Sequence, residues 1–183
     1  MKKSNEKKLT WSDLKRQLHD LDRPELLGLI RDLYAASKSN QAFLHARFAL
    51  GEDPLEPYKA TIARWVCPDV IRNQGFSVAK AKRAILDYKK AIGRPEGMAE
   101  LTVFYCESCT SLISYCGMED EGYFDALVRM FRQALEAIRA LEPSQQDQFV
   151  ERLEKVRRAA QNWGWGVGDE MNYLMKKYGL AEE

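Results

Sequence analysis

Apolar residues recur at three- and four-residue spacing along almost the whole chain, and this pattern predicts helices with little between them. The first covers residues 12–20. Asp22 with Glu25 three positions on makes a capping box, Pro24 stands in the first turn, and Leu26, Leu29, Ile30 and Leu33 continue the stripe. Ser39 is placed to cap a third helix carrying Phe43, Leu44 and Phe48, with Gly51 to end it. Asp53-Pro54 opens a fourth, stopped at Cys67-Pro68 because the residue before proline avoids helical angles. After a loop from Pro68 to Phe76, Ser77 caps a helix terminated by Gly93, and Pro95 starts a long apolar helix to Gly117. Residues 121–141 carry Phe124, Leu127, Phe131, Leu135 and Ile138 on one stripe, Pro143 opens the next helix, and a Trp-Gly-Trp-Gly turn at 163–166 leads into a last one ending at Gly179. No segment alternates with period two as a half-buried strand would.

The expected fold is therefore all-α, with eight or nine helices in a helix-hairpin bundle or a short right-handed solenoid. Residues 10–183 are expected to form a single helical domain behind a flexible basic tail over residues 1–9. A weak tetratricopeptide-like character shows in Ala84-x3-Tyr88-x2-Ala91-Ile92 before Pro95. It is echoed by Phe131-x2-Ala134-Leu135, which lies 43 residues after Tyr88 rather than the repeat's 34.

Composition narrows the class. The 183 residues are 45% hydrophobic and 30% charged, enough apolar material for one packed domain and too much for a disordered chain. The first ten residues have the charge of a signal peptide but no apolar stretch behind them, and no run is long enough to cross a membrane. The expectation is a cytoplasmic protein with reduced thiols at Cys67, Cys106, Cys109 and Cys116.

A near-neutral net charge of +1 conceals a segregation. Residues 59–94 hold nine basic side chains against Asp69 and Asp87, whereas residues 95–128 hold seven acidic ones and no Lys or Arg. Either the two helices flank one another and steer their own pairing, or Lys80, Lys82, Arg83, Lys89 and Lys90 form a basic face able to bind nucleic acid weakly. No groove-reading motif accompanies that face, so the first alternative is favoured.

Candidate chemistry is sparse. Cys106-x2-Cys109 lacks a second knuckle, and its spacing on an apolar helix, continued at Cys116, suits packed thiols better than zinc. A nucleophilic cysteine would need His19 or His45 as its base, and neither stands near one in sequence. The Gly164–Asp169 run follows a helix and ends in an acid, so it is a tight turn whose tryptophans are expected to plug the core, and not a phosphate loop. Among the carboxylates, Glu107 in an apolar helix must find a partner or shift its pKa, Asp120 or Glu121 can cap the helix after them, and a convergence of several would suit a divalent cation.

Three stretches, Ser77–Lys82 opening a helix, Tyr105-x-Glu107 followed by Tyr115-x-Gly117 and the acidic turn to Tyr123, and Gly164-Trp165-Gly166 with Asp169, together resemble a family of small bacterial all-helical proteins known as a domain of unknown function. The resemblance covers about residues 12–178; where that family has aliphatic or small residues near the tyrosine–glutamate pair, this chain has cysteines. It implies an all-helical fold and no activity, metal or cofactor, and it directs attention to Tyr105, Glu107, Tyr115, Trp165 and Asp169 as a functional surface. The expected role is a protein-protein interaction module or scaffold, with a homo-oligomer among its forms and no membrane partner. Weak nucleic-acid binding and a metal- or carboxylate-dependent enzyme are the alternatives, and the reading leans away from an enzyme.

Overall fold

A computed structural model describes residues 9–180 of the chain, so the basic tail expected over residues 1–9 lies outside the described residues except for Leu9. The described residues form nine α-helices and no strand. They are α1 (Trp11–His19), α2 (Arg23–Ala36), α3 (Lys38–Phe48), α4 (Glu56–Val66), α5 (Val78–Ala91), α6 (Pro95–Cys116), α7 (Glu121–Arg139), α8 (Pro143–Ala159) and α9 (Val167–Tyr178), with a 3-10 turn at Ala160–Asn162. The described residues fall into two compact units, one ending at Leu44 and one beginning at His45.

The N-terminal unit has no buried residue among those described. Its helices are locally well specified: Asp22 accepts from the Glu25 amide at 2.8 Å while Glu25 accepts from the Asp22 amide at 2.8 Å. The start of α3 differs from expectation, since Ser37 and not Ser39 supplies the cap, accepting from the Asn40 amide at 3.1 Å. Asn40 and Gln41 then donate back to the Leu33 and Tyr34 carbonyls at 2.6 and 3.1 Å, satisfying the end of α2.

The end of α3, in the second unit, differs as well. Ala49, not Gly51, takes the left-handed turn at φ 51°, and the Leu50 amide bonds the His45 carbonyl at 2.9 Å. That is a Schellman closure built on a residue with a Cβ, which costs about 1 kcal/mol relative to glycine. Ala49→Gly is expected to raise stability by roughly 0.5–1 kcal/mol in urea titration, the relief of strain exceeding glycine's extra freedom in the unfolded chain.

The second unit is a stack of three helix pairs, α4/α5, α6/α7 and α8/α9, and every substantial helix–helix interface joins elements one or two places apart in the chain. Such nearest-neighbour packing belongs to a short solenoid of hairpins. The first helix of each pair carries proline in its first turn, at Pro57, Pro95 and Pro143. The 43-residue echo places Tyr88 and Phe131 in the second helices of successive pairs. The middle helix, α6, is buried along most of its length, with Leu101, Val103, Tyr105, Cys106 and Cys109 all fully enclosed. Tyr123 fastens α7 to the end of α4 by donating its hydroxyl to the Val66 carbonyl.

The basic segment meets the acidic one through Lys59 of α4, and no ion pair among the described residues joins α5 to α6. The acids of α6 instead meet α4 and α8: Arg152 chelates both oxygens of Glu107 at 2.8 and 2.7 Å and both oxygens of Glu100. Lys59 bridges Glu100 at 2.8 Å and Asp53 at 2.7 Å. This ladder joins the first helices of the three hairpins. No helix among the described residues is long and apolar enough to cross a membrane.

Candidate functional site

Two clefts meet at Trp165, on the side where the α6–α7 turn faces the α8–α9 turn. The larger, about 530 Å³, is lined by Gly117, Met118 and Glu119 from the first turn, Phe124 from α7, and Trp163 and Trp165 from the second. The smaller, about 390 Å³, has Trp165, Asp169 and Glu170 on one side and Phe124, Asp125 and Arg129 on the other. Both volumes fall within the range of ordinary ligand pockets.

The local sequence explains how the turn reaches this shape. The α8 helix ends in the 3-10 turn, and α9 begins on Gly166, which adopts φ 67° and has no side chain to cap the helix. Gly168 lets α9 lie against the 3-10 turn: a Cβ there would stand 2.8 Å from the Ala160 carbonyl oxygen and 2.9 Å from the Gln161 Cα. Asn172 of α9 accepts from Arg157 of α8, and it donates to Gln161 of the 3-10 turn at 3.3 Å, tying α9 to both elements.

Between them Trp165 is held at φ 57°, a left-handed conformation that bulky side chains avoid. Its ring stays 56% exposed, so it does not plug the core as the turn's sequence predicts. Trp163 is half-buried. The Phe124 ring lies 5.9 Å from Trp163 and 5.3 Å from Trp165, both tilted, which makes one aromatic wall shared by the clefts.

Around this wall stand four carboxylates, Glu119, Asp125, Asp169 and Glu170, against the single guanidinium of Arg129. Asp125 pairs with Arg129 at 3.4 Å, and Glu170 with Arg132 of α7 at 3.3 Å. Asp169 sits in the first turn of α9, where its charge complements the helix dipole, and neither it nor Glu119 has an ion-pair partner among the described residues. An aromatic wall with net negative surroundings attracts a cation over the ring faces.

The residues singled out in the sequence thus separate. Trp165 and Asp169 line the clefts, and Tyr115, 67% exposed on the last turn of α6, lies two residues before the cleft-lining Gly117. Tyr105 is fully buried, its hydroxyl facing the Cys109 thiol without an oxygen or nitrogen partner, and burial pushes its pKa above the ordinary phenol value. Glu107 belongs to the ion ladder with Arg152. Phe124, Asp125 and Arg129 were not legible as site residues, since some 40 positions separate them from the tryptophan turn and Phe124 stands on a stripe that predicts only a buried face.

The cysteines divide between the core and the surface. Cys106 and Cys109 pack inside α6, where burial raises the Cys109 thiol to about 12 and Cys106 well above its usual value. Cys116, expected on the same packed face, is exposed, because the last turn of α6 runs beyond the core. All four thiols are free, and among the described residues no three His, Cys, Asp or Glu side chains gather to hold a metal.

The basic segment is partly consumed locally. Arg83 pairs with Asp87 at 2.8 Å, and Lys80 and Arg64 sit over the Trp65 ring at 3.8 and 4.5 Å from its centroid. Lys82, Lys89 and Lys90 have no ion pair among the described residues. Comparison with family models, with curated proteins and with solved structures returns no match for this chain.

Proposed function

We propose that this chain is a protein-interaction module whose hairpin stack presents the Trp165 clefts to a cationic segment of another protein. One observation carries the reading: a bulky aromatic residue is held exposed, in a left-handed backbone, between two concavities of net negative charge. Strain of this kind costs about 1–2 kcal/mol, and an outlier kept at a cleft is the usual starting point for a functional assignment. The occupant that fits is a lysine or arginine side chain, its charge over Trp165 and its methylenes against Phe124 and Met118.

Trp165→Gly separates binding from folding, because glycine accepts φ 57° without strain. A lysine–glycine octapeptide is expected to bind the wild-type chain, more weakly as salt rises, and at least about tenfold more weakly to the variant, whose melting temperature stays near the parent's. A variant that unfolds would make Trp165 a packing residue. Equal binding of the lysine peptide and an aspartate–glycine peptide would remove the cationic assignment.

A further inference from the structure

We infer that the segment taken up at Trp165 is dibasic, placing one lysine or arginine side chain in each of the two clefts. This rests on the cationic reading above and names the partner's pattern within it. The clefts share Trp165 and Phe124, and the rest of their walls differ. Their charges, taken cleft by cleft, leave the same remainder. In the larger, Glu119 is the one charged residue of the lining. In the smaller, Arg129 answers Asp125 and Arg132 answers Glu170, which leaves Asp169. Each concavity therefore keeps one exposed carboxylate that has no ion-pair partner among the described residues.

A single cation meets only half of this arrangement. Seated against Asp169, it leaves Glu119 unanswered on the other side of the shared aromatic wall. A second cation on the same segment answers Glu119 from the larger cleft, its methylenes lying along Met118 and Trp163. Both charges then border the ring system of Trp165. The chain between them is short, so the second contact forms within one complex at a high effective concentration and adds affinity without a larger partner surface. Successive side chains of an extended segment point to opposite sides, and positions i and i+2, about 7 Å apart, are the nearest pair that faces one surface. Lys-x-Lys is the simplest sequence with that property.

Calorimetric titration of the full chain with two glycine peptides of equal length, blocked at both ends, tests it. One carries a single lysine and the other two lysines with one glycine between them. The two-lysine peptide is expected to bind at least about tenfold more tightly. Glu119→Gln and Asp169→Asn should each remove most of that gain while the melting temperature stays near the parent's. Glu56→Gln deletes one charge from an exposed position that lines neither cleft, and it should keep the gain. Equal binding of the two peptides would overturn the dibasic assignment and leave the cationic reading standing. A loss in Glu56→Gln as large as that in Glu119→Gln would overturn it too, by reducing the gain to overall charge. Binding of neither peptide would remove both this inference and the reading beneath it.

Discussion

Gly168→Ala is expected to destabilise the protein by about 1–3 kcal/mol, opposite in sign to the gain that helix propensity alone predicts. Alanine in a helix interior is favoured over glycine by roughly 1 kcal/mol, and Gly168 lies in the second position of α9 with ordinary helical angles. The space decides the sign. The new methyl would meet the Ala160 carbonyl oxygen at 2.8 Å and the Gln161 Cα at 2.9 Å, and both are backbone atoms that cannot rotate away. Either α9 lifts from the 3-10 turn or α8 shifts, and both movements open the wall that carries Trp165. Thermal melting should show a fall of some 2–10 °C, and the lysine peptide should bind more weakly in proportion. Gly164→Ala serves as the control, because a methyl there meets nothing within 4 Å. If Gly168→Ala melts at or above the parent's temperature, α9 is not seated by close backbone contact.

Caps and stops within four residues of one another are local chemistry, so Asp22 with Glu25, Ser77, Asp120, Pro95 and Pro143 mark helix starts that the structure keeps. The echo between Tyr88 and Phe131 spans 43 residues, and it turns out to mark equivalent helices of successive hairpins. The end of α3 was missed because a Schellman bond is set by where packing stops the helix, and the chain accepts strain at Ala49 although Gly51 is two residues away.

The site was legible only in part. The Trp-Gly-Trp-Gly turn drew attention to Trp165 and Asp169, yet an aromatic residue between glycines is expected to be buried. What exposes Trp165 is the left-handed backbone at that residue, together with the close seat of Gly168 that fixes α9. Neither is visible in the sequence. Charge runs were informative in part: the basic run 59–94 does flank the acidic one, but through Lys59 of α4 and not through an ion pair from α5, and hairpin stacking also brings Arg152 of α8 to the acidic face of α6. A run of charge tells which helix needs partners, and the topology chooses them.

Arg152→Met tests that choice, and it is expected to cost about 2–4 kcal/mol at neutral pH. One guanidinium satisfies two carboxylates, and its removal leaves Glu100 to Lys59 alone and Glu107 without its bidentate partner. The figure sits at the lower end for a buried pair because the cluster keeps some access to water, the Glu107 side chain being 34% exposed. The pH dependence follows from Glu100. Burial alone would raise its pKa, but Arg152 and Lys59 outweigh burial and hold it below the usual value of 4.5. A depressed folded-state pKa contributes stability above the unfolded value, and that stability is lost as pH falls through the folded one. The gap between wild type and Arg152→Met in denaturant midpoint should therefore be widest near neutral pH and should narrow below pH 4.5 as Glu100 protonates. Adding Glu100→Gln and Glu107→Gln to Arg152→Met should recover much of the loss, since the penalty lies in the unpaired carboxylates more than in the missing arginine. A gap that stays constant with pH, or a triple variant no better than the single one, would mean that Arg152 acts through its guanidinium over the Phe149 ring, 5.7 Å from the centroid, and not through the ladder that aligns α4, α6 and α8.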